Sequence, residues 1–216
     1  VAGMDAGPHP KRSAALKGPV MREHGRQTLR RLQRRLEQLY QLEPTPDVTR
    51  FIRVAEGDSG REMLLVRQRD EHLELALVVP EQAVTEERLS GDGLLQVVEG
   101  ISHFVYIAER ARTGLPATRL ELELQAEVDK FVLFAANIRP LDHRKVRRLH
   151  GTLYEQIRYL HAADTEAGAR YRLANDLAAR FVSRLIDRHR SALALQALRR
   201  FYRAGQADKI HLARAA

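Results

Sequence analysis

Residues 94–136 read LLQVVEGISHFVYIAERARTGLPATRLELELQAEVDKFVLFAA, and the period of this stretch decides the fold class. Its first half is strongly apolar and predicts a helix over Leu94–Arg112, ended by Gly114-Leu115-Pro116. The second half begins ambiguously, because Arg119–Gln125 alternates polar and apolar residues as a strand does. Across the whole segment, however, Leu120, Leu124, Val128, Phe131 and Ala135 recur at helical spacing. The prediction is therefore a second helix over Thr118–Ala136, ended by Asn137 and Pro140.

Towards the C-terminus the helical pattern continues. Asp142–His161, Asp164–Arg190 and Ser191–Ala204 each open on a good N-cap residue, and Gly205 reads as a C-terminal stop. Towards the N-terminus three runs have strand character: Val48–Ala55, Glu62–Gln68 and His72–Val79. In the last, Leu73, Leu75, Leu77 and Val79 alternate with Glu74, Ala76 and Val78. The connections Gly57-Asp58-Ser59-Gly60 and Arg69-Asp70-Glu71 are short, which predicts an antiparallel meander. Before it, Leu29, Leu32, Leu36 and Leu39 form a narrow apolar seam on a helix from Met21 to Leu42, stopped by Glu43-Pro44-Thr45-Pro46-Asp47. So short a seam must pack on this chain or on a second copy.

The expected fold class is α+β and mainly helical: an N-terminal helix, a small three-stranded antiparallel sheet, and a C-terminal bundle of about five helices. Residues 1–20 read as a flexible tail, 21–80 as the helix and meander, and 81–216 as the bundle, the last two packed as one globular unit.

The composition narrows the function classes. The 216 residues include no cysteine, which excludes disulfides, a thiol nucleophile and cysteine-held metals. Charge-free runs such as Gly100–Ala108 and Phe131–Ile138 are far shorter than the roughly 20 residues of a spanning helix. Val1–Val20 lacks the apolar core of a secretory signal. A cytoplasmic protein without membrane contact is expected. There is no glycine-rich phosphate loop, no nucleophile elbow and no recognisable nucleic-acid module.

The net charge of +8 is unevenly spread, with +5 on residues 1–50, −7 on 51–138 and +10 on 139–216. Two Arg-rich helix faces stand out. Arg30 and Arg34 share one i, i+4 row, and Arg31 and Arg35 share another, where like charges repel. After the N-cap Asp142, residues Arg144, Lys145, Arg147 and Arg148 fill the first turns of a helix, where the dipole disfavours cations. Acidic groups of the same chain or of a partner would offset both faces, and so would the phosphates of a polyanion.

A second constellation is polar. Gln96, Glu99, His103, Tyr106 and Arg110 step by three and four residues down one otherwise apolar helix, and Glu123 and Glu127 lie one turn apart on the next. If the two helices are antiparallel neighbours, Glu99, His103 and Glu127 converge, a donor set suited to a hard or borderline divalent metal or to acid–base work. The plainer reading is a structural network in which His103 and Tyr106 satisfy Glu99 or Glu127. From these features we expect a binding or interaction protein that needs no cofactor. Its Arg-rich faces would contact an acidic partner or a second subunit. The alternatives are a non-specific nucleic-acid or polyphosphate binder and a metal-dependent enzyme using the Glu/His/Glu group.

Overall fold

The computed structural model describes residues 23–54, 63–69, 72–79, 91–138, 140, 142–187 and 191–215. The tail expected at 1–20 and the turns expected at 57–60 and 70–71 lie outside the described residues. The chain is mainly helical, as the periodicity predicts. Helix α1 spans Glu23–Tyr40 and a single 3₁₀ turn Val48–Arg50; strands β1 Ile52–Val54, β2 Met63–Arg69 and β3 His72–Val79 follow. Then come α2 Gly91–Arg112, α3 Arg119–Ala135, α4 His143–Tyr154, α5 Glu166–Asp187, α6 Ser191–Arg203 and α7 Gln206–Arg214.

The predicted seam of α1 packs within the chain: Leu29, Leu32 and Leu36 are buried against α2 and α6, and Tyr40 stacks on Tyr202 with ring centroids 4.1 Å apart. Gln33 secures the chain reversal behind it, its amide donating to Thr45 Oγ1 (2.8 Å) and the Pro46 carbonyl (3.0 Å) and accepting from the Val48 N–H (3.0 Å).

The sheet departs from the expected all-antiparallel meander. Its order is β1-β3-β2: β2 and β3 pair antiparallel from Met63↔Val78 to Arg69↔His72, but β1 pairs parallel with β3, Ile52 opposite Leu77. The reason lies in β3. Leu77 and Val79 are buried while Ala76 and Val78 on the other face are half-buried. A strand apolar on both faces belongs in the middle of a sheet, with a partner on each edge.

Two further boundaries change. The helix expected over Asp142–His161 stops at Tyr154, whose carbonyl accepts from Asn175 Nδ2 at 3.0 Å. The following segment is laid on α5 at Gly168, where any Cβ would run into the Ala162 carbonyl, so only glycine fits. Gly205, read as a stop, is instead the N-cap of α7, which makes six described helices after residue 90 rather than about five. The nine residues of α7 escape a periodicity reading because one of their two buried positions is Lys209.

Helices α2 and α3 run antiparallel, joined by the short link 113–118. Arg110 meets Glu121 near the link, Ser102 meets Asp129 farther along, and Glu99 meets Lys130 beyond that. Thr118 and Glu121 close a capping box at the start of α3, fixing where that helix begins. Helix α3 packs against α2, α4, α5 and α7 and is buried nearly all round.

Candidate metal centre

Because α2 and α3 are antiparallel, side chains one turn apart on each face one another. Glu99 and His103, at i and i+4 on α2, meet Glu123 on α3, and one ligand atom from each lies within 4.8 Å of the others. His103 Nε2 stands 3.7 Å from Glu123 Oε2. That nitrogen is shielded from solvent and has no hydrogen-bond partner. The backbone at Leu122 also interacts with the ring, while Nε2 stands on the Glu123 side.

The electrostatics follow from burial. Desolvation pushes the His103 imidazole below its ordinary range, against the pull of Glu99, so the ring is neutral at pH 7. Desolvation and the neighbouring Glu99 charge push Glu123 up to about 7, although Arg170 and a hydrogen bond from Tyr171 oppose the shift. Next to this group Lys130 Nζ bridges Glu99 (2.7 Å) and Glu127 (2.8 Å). Burial alone would lower Lys130, but the two carboxylates overcome it and hold the ammonium protonated. Glu127 itself is raised by burial, with Lys130 opposing.

The third member of the predicted Glu99–His103–Glu127 convergence is therefore Glu123. Glu127 lies one turn farther along α3, on Lys130. Tyr106 belongs elsewhere: its hydroxyl accepts from Arg110 at 2.6 Å and lies 3.3 Å from Glu121, while Arg110 also reaches Glu121 (3.0 Å) and the Ala204 carbonyl (2.7 Å). Between these groups is a cluster that apolar periodicity does not mark. Asp129, wholly buried, accepts from Ser102 Oγ (2.6 Å), Gln125 Nε2 (2.9 Å) and the Tyr40 hydroxyl, and Lys209 Nζ donates to Gln125 Oε1 (2.6 Å) and the Phe201 carbonyl (2.8 Å). The signal that could have found it is the polar row Glu121, Gln125 and Asp129, at i, i+4 and i+8 on a helix that is otherwise largely apolar.

Beside the Glu99–His103–Glu123 group opens a cleft of about 560 Å³, between α2, α3, α5 and the segment after α4. Glu99, Glu127, Lys130, Tyr171 and Asn175 are among its walls.

The Arg-rich faces are not drawn into this site. On α1, Arg30 Nε bonds to Asp47 (3.0 Å), Arg31 to Thr28 (3.0 Å) and Arg35 to Asn137 (3.3 Å), while Arg34 is exposed. Arg144, Lys145, Arg147 and Arg148 are exposed on α4, with Arg147 2.8 Å from Asp187. Among the described residues, acids of the middle segment pair with its own cations Arg110 and Lys130, and with Arg170 of α5.

No family model, curated protein or solved structure matches the chain. Among the described residues no helix is long and apolar enough to cross a membrane.

Proposed function

We propose that the protein binds a divalent first-row transition ion between α2 and α3, through Glu99, His103 and Glu123. The observation that carries this reading is the buried Nε2 of His103, which lacks a hydrogen-bond partner and faces two carboxylates. An unsatisfied buried nitrogen costs about 1–3 kcal/mol, and a cation would satisfy it while adding to the ion pairs that Glu99 and Glu123 already make with Lys130 and Arg170. Two carboxylates and one imidazole suit Mn²⁺, Fe²⁺ or Zn²⁺. With metal–ligand bonds of about 2.0–2.2 Å, small side-chain rotations bring the three atoms into range. Three protein ligands leave coordination positions open, as binding or catalytic sites require. The test is elemental analysis after loading and dialysis, together with melting with and without chelator. One equivalent of metal and a chelator-reversible rise in melting temperature are expected, both lost in His103→Gln. Metal-free protein after loading, with melting indifferent to chelator, rejects the proposal.

A second reading is external anion contact by α4, and the exposure of Arg144, Lys145, Arg147 and Arg148 favours it. Its expectation is polyphosphate or nucleic-acid binding that weakens steeply with salt and falls on charge reversal of Arg144 and Arg148. Lack of binding at low salt eliminates it.

A further inference from the structure

Helices α5, α6 and α7 enclose a groove of about 620 Å³ that neither the metal ligands nor the Arg face of α4 borders. Phe181 and Leu185 of α5 are buried and form its floor, Leu212 of α7 forms one wall, and Leu193 of α6 stands at its mouth, 48% exposed. A leucine left half in water beside an apolar floor is a place where a further apolar body would take surface out of water. The charges at the rim are of one sign. Arg184 reaches the groove from α5 and is already engaged, its Nη2 donating to the Leu212 carbonyl at 2.5 Å. Arg200 of α6 is exposed, and among the described residues its guanidinium makes no ion pair and no hydrogen bond. Beside it on the outer face of α6, Arg199 and Arg203 turn to the carbonyls of Leu39 and Tyr40 at the end of α1. No acidic side chain among the described residues lines the groove. An apolar floor under a cationic rim complements a molecule with a hydrocarbon body and an anionic head. Size separates a small molecule from a protein partner: nine described residues line the groove, against roughly 20–30 a side in a stable protein interface. Its volume of about 620 Å³ is that of a small-molecule site. One uncommitted guanidinium meets one negative charge, which favours a carboxylate over a phosphate monoester carrying about two.

We propose that this groove binds a single-chain amphiphilic carboxylate, its head accepting from the Arg200 guanidinium and its hydrocarbon chain lying on Leu193, Leu212 and Phe181. No metal ion takes part, so binding is measured in chelator and its failure leaves metal uptake untouched. The probes are octanoate, octanol and octylamine, which share a chain and differ in the head group, titrated into the full chain by ligand-observed NMR below their aggregation limits. Octanoate is expected to bind at least fivefold more tightly than the alcohol or the amine. Arg200→Glu is expected to reverse the order of acid and amine, and Leu193→Asp to weaken octanoate fivefold or more; both side chains are exposed, so neither change removes core packing. Arg144→Glu, on the other basic face, is expected to leave octanoate within twofold. No octanoate binding at millimolar concentration, equal binding of the three head groups, or equal losses in Arg200→Glu and Arg144→Glu each overturn the proposal. So does binding confined to vesicles of anionic phospholipid, and so does a dimer that Leu193→Asp abolishes and octanoate leaves intact, which would give the groove to a second copy of the chain.

Discussion

Two buried polar groups share the α2–α3 helix pair and differ in one respect. Around Asp129 the carboxylate oxygens are met: Oδ2 by Ser102, Oδ1 by Gln125 and Tyr40, with Lys209 closing the network through Gln125. Around His103 the ring nitrogen has no partner, Glu123 is raised to about 7, and a cleft opens alongside. A polar network that is fully bonded rigidifies a core, whereas one that is left open invites a ligand. The two occupy opposite sides of α3. Glu121, Gln125 and Asp129 form the row towards α1 and α7, and Glu123, Glu127 and Lys130 form the flank towards α5 and the cleft.

The largest effect should come from breaking the closed group. Asp129→Ala strands three donors and removes the nearest carboxylate to a buried lysine, which is expected to cost about 3–5 kcal/mol. His103→Gln, measured without metal, is expected to cost about 1 kcal/mol, because Nε2 has no bond to lose and the glutamine amide fills much of the ring's space. Denaturant unfolding of both variants in chelator checks the contrast, and a cost for His103→Gln matching that for Asp129→Ala would show the open group to be scaffold as well.

Next in size is the pH dependence. The ordinary carboxyl range of Glu123 lies near 4.5 and its folded value near 7. Between those limits the folded chain holds a proton that the unfolded chain has released, so stability falls as pH rises and is flat above about 7. Asp129, raised to about 6 from 3.8 by burial, acts in the same direction over a lower window. Glu123→Gln removes its share of the penalty and is expected to stabilise the metal-free protein at pH 8 by up to about 3 kcal/mol, at 1.36 kcal/mol per pH unit. At pH 4.5 the gain should vanish. Equal stability of wild type and variant at pH 8 contradicts the raised carboxyl.

Metal reverses the comparison. Binding needs ionised Glu123, so affinity is expected to rise with pH up to about 7, and the ion to add about 2.7 kcal/mol at a hundredfold excess over its dissociation constant. In Glu123→Gln and His103→Gln that increment disappears, while in Ser102→Ala, on the closed side, it remains. Differential scanning calorimetry at pH 6 and 8, with and without Mn²⁺ or Zn²⁺, reads all of these.

How much of this was legible in the sequence depends on how local the determinant is. The long helices follow from apolar spacing, and Glu99, His103 and Glu123 are visible as polar positions on apolar faces. The choice of Glu123 over Glu127 is not visible, because it turns on the register of two antiparallel helices. The register is tied by contacts such as Arg110–Glu121 and Ser102–Asp129, between residues far apart in sequence. The alternation in Arg119–Gln125 imitates a strand for a related reason: a helix enclosed on most sides carries polar residues on two flanks, so its pattern is no longer a single stripe. The parallel pairing of β1 also rests on a neighbour beyond its three residues.

The smallest effect concerns the surface. Arg147 and Asp187 are as close as the buried pairs, 2.8 Å, but both side chains are more than half exposed. Water screens the attraction and ordering two long side chains offsets much of what remains, so exposed pairs contribute about 0–1 kcal/mol. Arg147→Ala is expected to change stability by less than about 0.5 kcal/mol, with the difference vanishing at 1 M salt, where the screening length is about 3 Å. The buried pair Lys130–Glu99, at 2.7 Å, provides the contrast: Lys130→Met leaves two carboxylates facing each other without their cation, and its cost should persist at 1 M salt. A salt-insensitive loss of several kcal/mol for Arg147→Ala would mean that α4 is fastened to α5 by this surface pair, and that its Arg face is structural rather than open to anions.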